Sequence, residues 1–260
     1  EPRIATDDLG GMCFEAESGH CDPYLATAGF AAAARRLGAD VEEGVRVTAV
    51  RAGAVETDRG TISSGAVVVA AGVWSVPLIA QLGFDLPLRP VGAQVGRFRL
   101  PADFDPAPPA VADFSRLLFY FKRGEPGYLE VGSLDPHDVE ASADPDRAVE
   151  GAEPETLDRY ARALAQRVPT ASRGHWRGAW TGIYDVSPDW QPAIGAVPGV
   201  EGVYVAAGFS GHGFKLAPAV GTAVAELVCD GRSSAFDLAP LDPERFARGE
   251  LLASHYGVVG

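Results

Sequence analysis

The sequence predicts an α/β fold of two domains, and three stretches of its 260 residues indicate this. Residues 203–207 are an apolar run typical of a buried strand, followed by a glycine-rich turn and an amphipathic helix. Residues 67–71, VVVAA, are a second apolar run, as expected for a parallel strand buried on both faces. Residues 85–176 instead show alternating strands, with more proline and aromatic residues.

We therefore assign residues 1–84 and 177–260 to one discontinuous domain and residues 85–176 to a second domain with an antiparallel sheet. If this assignment is right, strands 67–71 and 203–207 belong to one sheet. The second domain is predicted to contain three strands and one amphipathic helix, at residues 91–100, 117–122, 128–132 and 155–168.

The first domain is expected to begin with a helix over residues 24–37, because Asp22 is a good cap and Pro23 suits the first helical position. An alternating strand follows at residues 45–50, and a hairpin is expected around Asp58-Arg59-Gly60. Residues 135–153 are predicted to form an acidic loop. Residues 176–195 are predicted to be irregular, although they lead back to the strand at 203–207.

Charge and cysteine content narrow the range of partners. The net charge of −13 argues against nucleic acid and anionic membrane surfaces. No run approaches the 18 or so apolar residues that a membrane span needs. The three cysteines lack metal-ligand spacing, so we predict no metal site and expect free thiols in a reducing, cytoplasmic compartment.

The turn between residues 207 and 216 carries the clearest chemical signal. Gly208, Gly211 and Gly213 let a ligand approach the backbone, and the N–H groups that open the next helix favour negative charge. Lys215, one of only two lysines, lies at the same turn. An ordinary strand-to-helix crossover with glycines for packing explains the spacing alone equally well.

Four segments, in order along the chain, resemble the FAD-dependent amine and amino-acid oxidoreductases, the family of D-amino-acid oxidase. Their amino-acid sequences are most similar to those of the sarcosine- and dimethylglycine-oxidising subgroup. The segments are SGHCDPYLATAGFAAAARRLGADV (18–41), VVVAAGVWS (67–75), YDVSPDWQPAIG (184–195) and GFSGHGFKLAPAVG (208–221).

The resemblance implies a Rossmann-like FAD-binding domain of the glutathione-reductase type and an α+β substrate-binding domain. Family members open with a βαβ unit whose GxGxxG motif binds the FAD pyrophosphate, and no such motif precedes Ser18. We therefore expect the FAD-binding domain, assigned to residues 1–84 and 177–260, to be incomplete. The sequence leaves open whether a preceding segment or a partner subunit completes it.

The resemblance also implies which residues line the cofactor, mostly through their backbone. Gly182 stands where some sarcosine-type oxidases carry a cysteine that attaches flavin, so we expect FAD to be bound non-covalently. The implied cofactor-binding residues are Val47, Ala71, Gly72, Trp74, Gly182, Gly208, Ser210, Gly211, His212, Gly213 and Phe214.

The resemblance also implies which residues contact the substrate. Lys215 would bind the substrate carboxylate or the flavin C2 oxygen, and Tyr184 together with Phe119 or Tyr120 would wall the site. Glu130 aligns with a lysine that assists oxygen reduction in related oxidases, which favours a dehydrogenase; alternatively, it faces solvent from a strand. The candidate catalytic residues are Lys215, His212 and Tyr184, and the candidate substrate-binding residues are Phe119, Tyr120, Glu130 and Lys215.

The expected function is oxidation of a C–N bond in an amino acid or N-methylated amine by hydride transfer to FAD. The substrate is thus a small amine or amino acid. Two alternatives remain: a non-catalytic fragment or partner-completed subunit, and an FAD enzyme that oxidises a hydroxy acid. The sequence does not distinguish oxidase from dehydrogenase, nor does it fix the substrate or the oligomeric state.

Overall fold

The computed structural model describes residues 1–104, 108–139, 142–147 and 151–253. The α-helices of this part of the chain are α1 (Pro23–Arg36), α2 (Ser75–Ala80), α3 (Pro154–Arg167), α4 (Gly213–Asp230) and α5 (Arg245–Arg248). The strands are β1 (Val47–Arg51), β2 (Ala54–Thr57), β3 (Gly60–Ser63), β4 (Val67–Val69), β5 (Arg89–Arg99), β6 (Val111–Asp113), β7 (Phe119–Arg123), β8 (Tyr128–Ser133), β9 (His175–Val186), β10 (Ala193–Ala196) and β11 (Val203–Ala207).

These elements form two compact units. The first unit comprises Glu1–Gly19 and Pro90–Ile183, and the second comprises His20–Arg89 and the described residues from Tyr184 onward. The first 19 residues thus belong with the inserted segment, whereas the sequence analysis grouped them with the other domain. Which ligand each unit binds stays a prediction.

A five-stranded sheet and α3 build the first unit. The strand order is β6-β7-β8-β5-β9, and register pairs such as Phe121↔Val131 and Phe98↔Leu129 are antiparallel. One helix face is buried because α3 spaces its inward residues three or four apart. Those residues are Tyr160, Ala163, Leu164 and Arg167.

A buried ion pair joins the N-terminal segment to this unit. The Arg167 side chain is 1% exposed and bonds Asp113 and Asp8, each at 2.8 Å. Its backbone carbonyl accepts a hydrogen bond from the N–H of Ala5 at 2.8 Å. Because a buried guanidinium needs partners for its charge, Asp8 holds the first residues of the chain against α3.

Two small sheets build the second unit. One is the meander β1-β2-β3, which includes the predicted hairpin, and the other has the order β10-β11-β4. β11 and β4 are parallel, with Val203 opposite Val67, so the prediction that both apolar runs share a sheet is confirmed. The prediction that β4 is buried on both faces is wrong, since Val68 is 40% exposed and lines a cavity beside α4.

The helix signals of the second unit behave as predicted. The Oδ1 atom of Asp22 accepts the N–H of Leu25 at 2.9 Å and so caps α1. Gly231 ends α4 in the left-handed conformation, with φ of +74°. No residue of α1 is buried, and in the described part of the chain no helix is both long and apolar enough to cross a membrane.

The prediction of irregular structure at 176–195 is wrong, because β9 and β10 occupy most of it. β9 shows no alternation of buried and exposed residues and contains Gly178 and Gly182. Its conformation comes from pairing within the sheet, which local sequence does not reveal. Residues 140–141 and 148–150 of the predicted acidic loop lie outside the described residues, and Pro136–Val139 form a 3₁₀ helix.

Replacing Leu164, which is fully buried beneath the sheet of the first unit, tests this packing. Leu164→Ala is expected to lower the free energy of unfolding by about 2–5 kcal/mol, because it leaves a cavity. Leu25→Ala on α1 is the matched control: Leu25 is 68% exposed, and a change within about 0.5 kcal/mol is expected. Equal losses in urea titrations of the two variants would contradict the assigned core.

Candidate functional site

Two chain reversals lie at the same edge of the β10-β11-β4 sheet. Parallel strands direct their carboxyl ends to one edge, and that edge is where ligands bind in open α/β sheets. β4 leads into the 3₁₀ helix Gly72–Trp74, and β11 leads into the turn 208–212 that precedes α4. Gly72 and Gly208 both adopt positive φ, at +54° and +79°, so each reversal starts where a side chain would be strained.

Close packing also requires glycine in the turn before α4. A Cβ atom on Gly208 would lie 2.7 Å from the Leu88 side chain, and one on Gly211 would lie 2.9 Å from the Tyr184 ring. A Cβ on Gly213 would lie 2.9 Å from Phe209. Close contacts within the second unit, in addition to backbone geometry, therefore require glycine at these positions.

Asp185 anchors this turn from the end of β9. Its Oδ2 atom accepts the N–H of Gly208 at 2.7 Å, and its backbone carbonyl accepts the N–H of Ser210 at 3.3 Å. Its carboxylate would also lie 3.9 Å from a Cβ placed on Gly72. One acidic residue thus lies between the two reversals, and the sequence analysis did not single it out.

An open cavity of about 650 Å³ lies beside these reversals, within the size range of small-molecule sites. Asp185 is the charged residue of its lining, and most of the other lining residues are apolar. Gly72, Gly213 and Phe214 also line it, so three predicted cofactor residues share this cavity. The other lining residues are Val68, Ala70, Ala206, Phe209, Ala217, Val220, Gly221, Val224, Ala225, Val228 and Cys229.

The positive end of α4 lies at this cavity. The helix starts at Gly213, and its cap residue His212 makes no side-chain cap hydrogen bond. The N–H groups and the dipole of a helix start favour negative charge. Lys215 adds an exposed ammonium group within the first helical turn. An apolar cavity bordered by the N–H groups at the start of α4 suits a flat, largely apolar ring whose edge accepts hydrogen bonds.

Burial shifts the pKa values of His212 and Tyr184, which lie beside the turn, in the direction of the uncharged form. Desolvation, reinforced by the positive charge of Lys215, lowers the pKa of His212. Desolvation raises the pKa of the Tyr184 hydroxyl. At neutral pH the turn therefore offers a neutral imidazole and a phenol that can still donate a hydrogen bond.

The other predicted cofactor residues of the second unit differ in exposure. Val47 begins β1 and is 39% exposed, and Trp74 is 46% exposed. The N–H of Ala71 donates to the buried hydroxyl of Ser75 at 3.1 Å, which fixes the end of β4. Ser210 is only 1% exposed and its hydroxyl bonds within the protein, so its side chain supports the turn instead of facing a ligand.

The remaining candidates belong to the first unit. Phe119 is 1% exposed and lies in the core with Phe121, so the prediction that Phe119 walls a substrate site is corrected. Tyr120 points to the opposite sheet face, where a Cβ on Gly132 would lie 2.6 Å from its ring. The role of Tyr120 as a substrate contact remains a prediction.

Glu130 forms an ion pair with Lys122, its register partner on β7. Its charge is therefore compensated by Lys122, the other of the two lysines in the sequence. Gly182 lies in β9, also in the first unit. Roles of Glu130 in the substrate site and of Gly182 at the cofactor remain predictions.

A change in pH tests the environment of His212. The unfolded pKa is about 6.5 and the folded pKa is lower, so the unfolded chain binds this proton more readily than the folded protein, and stability falls as pH drops below about 6.5. His212→Gln is therefore expected to lose less unfolding free energy than the unchanged protein between about pH 7.5 and about pH 5.5. Urea titrations at both pH values measure this; an equal loss would show that His212 is not desolvated.

Comparisons with known proteins place this arrangement in a family. The family model described as FAD dependent oxidoreductase matches residues 1–227. The bovine FAD-dependent oxidoreductase domain-containing protein 1 is 37% identical over 194 residues, which cover 74% of this chain and 39% of that protein. The glycine oxidase of Geobacillus kaustophilus is 30% identical and is matched along 100% of this chain and 64% of its own.

The fold is also similar to that of solved structures. The L-proline dehydrogenase of P. horikoshii superposes with a TM-score of 0.78 at 30% identity, over 89% of this chain and 61% of that one. The chain thus spans less than two thirds of each of these three proteins. Because the matched family model covers most of its residues, this chain belongs to the FAD-dependent oxidoreductase family.

Proposed function

We propose that the protein is an FAD-dependent oxidoreductase that oxidises a C–N bond of an amino acid or N-methylated amine. The observation that carries this proposal is the cavity that begins beside the carboxyl ends of β4 and β11 and extends along α4 from Gly213 to Cys229. The residues there fit a flavin ring: the walls are apolar, two glycine-bearing reversals meet, and donors lie at one edge. The glycine oxidase match supports the amine and amino-acid substrate class.

In this proposal the glycine turn holds the cofactor through backbone groups. Gly72, Gly213 and Phe214 line the cavity. The N–H groups at the start of α4 would face the flavin edge, where negative charge develops. A bound flavin would supply the acceptor for a hydride from the substrate Cα–H or N-methyl C–H. Fixed donors at the flavin edge stabilise charge that develops there, because they need no reorganisation during the reaction.

Lys215 and Tyr184 are assigned to the substrate. The exposed ammonium of Lys215 can bind a carboxylate, and the protonated hydroxyl of Tyr184 can donate a hydrogen bond. Because its pKa is lowered, His212 stays neutral and adds no second positive charge beside Lys215. None of these three groups is an anionic base, which is compatible with a substrate amine that arrives already deprotonated.

A second candidate is a subunit that becomes active only with a partner. Large apolar side chains exposed on α1 and on α4 favour it, since exposed apolar surface can mark an interaction site. Those side chains include Tyr24, Leu25, Phe30, Phe214 and Leu216. Oxidation of a hydroxy acid remains the alternative chemistry at the same cavity.

The flavin content of the purified protein separates these candidates. Protein expressed from the complete coding sequence is expected to show a flavin absorption spectrum and to release all of its FAD on denaturation, since the cofactor is proposed to be non-covalent. Amines, amino acids and hydroxy acids are then compared as reductants of the bound flavin under anaerobic conditions. A colourless protein that takes up no added FAD would overturn the proposed function.

Removing the positive charge at the start of α4 tests the substrate role. Lys215→Met is expected to raise KM for carboxylate-bearing substrates at least roughly tenfold, because a charge-assisted contact is worth about 1.5–3 kcal/mol. Arg36→Met, which removes an exposed cation at the end of α1, is the control and should leave KM unchanged. Unchanged steady-state kinetics in Lys215→Met would exclude the assigned contact.

A further inference from the structure

The turn before α4 contains a strained residue that is not glycine. Ser210 adopts φ of +51° between Gly208 and Gly211, yet its side chain is almost fully buried. Left-handed backbone is unfavourable for a residue with a Cβ atom, and such strain persists only where the surroundings enforce it. Contacts within the second unit must therefore hold the backbone of Ser210 in this conformation.

Hydrogen bonds from residues 185–187 supply that constraint. The Oγ atom of Ser210 accepts the N–H of Ser187 at 3.2 Å and donates to the carbonyl of Gly208 at 3.2 Å. Asp185 accepts the N–H groups of Gly208 and Ser210, as described above. The conformation of the turn therefore depends on where the end of β9 is held.

That segment is in turn held by a buried ion pair. Arg245 in α5 donates from Nε to Oδ2 of Asp189 at 2.9 Å and from Nη2 to Oδ1 at 3.0 Å. The two side chains are 2% and 1% exposed. Ser187 bonds both Oδ1 of Asp189, at 3.2 Å, and the carbonyl of Gln191, at 2.8 Å, and that carbonyl also accepts from Arg245.

Burial works against the charge of Asp189, but hydrogen bonds from Arg245 and from the N–H groups of Leu252 and Gln191 outweigh it. The pKa of Asp189 therefore lies below its usual value. The pair is charged and fully bonded, which is the condition under which a buried ion pair specifies one geometry.

We propose that the Arg245–Asp189 ion pair positions the turn before α4, residues 208–213. It acts on this turn through Ser187 and Ser210. The proposal rests on the proposed function, since it assigns the pair the task of setting where the start of α4 meets the cofactor. Arg245 and Asp189 touch no cofactor themselves. Arg245 also lies beyond residue 227, where the family match ends.

Amide hydrogen exchange on the flavin-free protein tests the link itself. Ser210→Ala and the neutral double variant Asp189→Asn/Arg245→Gln are compared with Arg248→Met, which breaks only exposed ion pairs. The double variant leaves no unpaired buried charge, so it is expected to fold. The amides of Gly208 and Ser210 should exchange at least tenfold faster in the first two variants and be unchanged in the third.

Selective loss of protection at these two amides supports the proposal. Protection that is unchanged, or that falls uniformly over the second unit, overturns it. Because no flavin is present, either result is independent of whether the proposed function is right.

The second measurement uses the flavin-loaded enzyme. The double variant should show at least a tenfold weaker Kd for FAD and an altered visible circular dichroism of bound flavin, even where its thermal stability matches that of Arg248→Met. An ion pair that only stabilises the fold would change the melting temperature and leave both flavin signals intact. That outcome would overturn the positioning role, whereas absence of flavin from the unchanged protein would overturn the proposed function alone.

Discussion

The parallel pairing of β4 with β11 is the constraint on which the second unit depends. Val203 lies opposite Val67, so the carboxyl ends of both strands reach the same sheet edge. Each strand must then reverse within a few residues beside the other, which accounts for glycine at positions 72 and 208. The cavity and the start of α4 lie at this edge, and β9 brings the carboxylate of Asp185 to it.

The site uses backbone groups more than side chains. The reversals at Gly72 and Gly208 bring main-chain atoms to the cavity, and the first N–H groups of α4 border it. The side chains of Ser210 and Asp189 are buried and hold that backbone in place. A site of this kind depends on turn geometry, since a backbone donor can be moved only by moving the chain.

Local chemistry made much of this fold predictable from the sequence. The cap at Asp22, the apolar runs of β4 and β11 and the stop at Gly231 each follow from neighbouring residues. β9 was missed because its conformation comes from sheet pairing. The Arg245–Asp189 pair was not predicted because 56 residues separate its members and Arg245 lies outside the four segments that carry the family resemblance.

The long separation of that ion pair bears on the order in which the protein matures. During synthesis the chain emerges from its N-terminal end, so residues 185–213 leave the ribosome well before Arg245 does. Until then Asp189 has no guanidinium partner and the strain at Ser210 lacks part of its support. If the ion pair positions this turn as proposed, the turn is completed late, after the strands have formed and only once Arg245 has emerged.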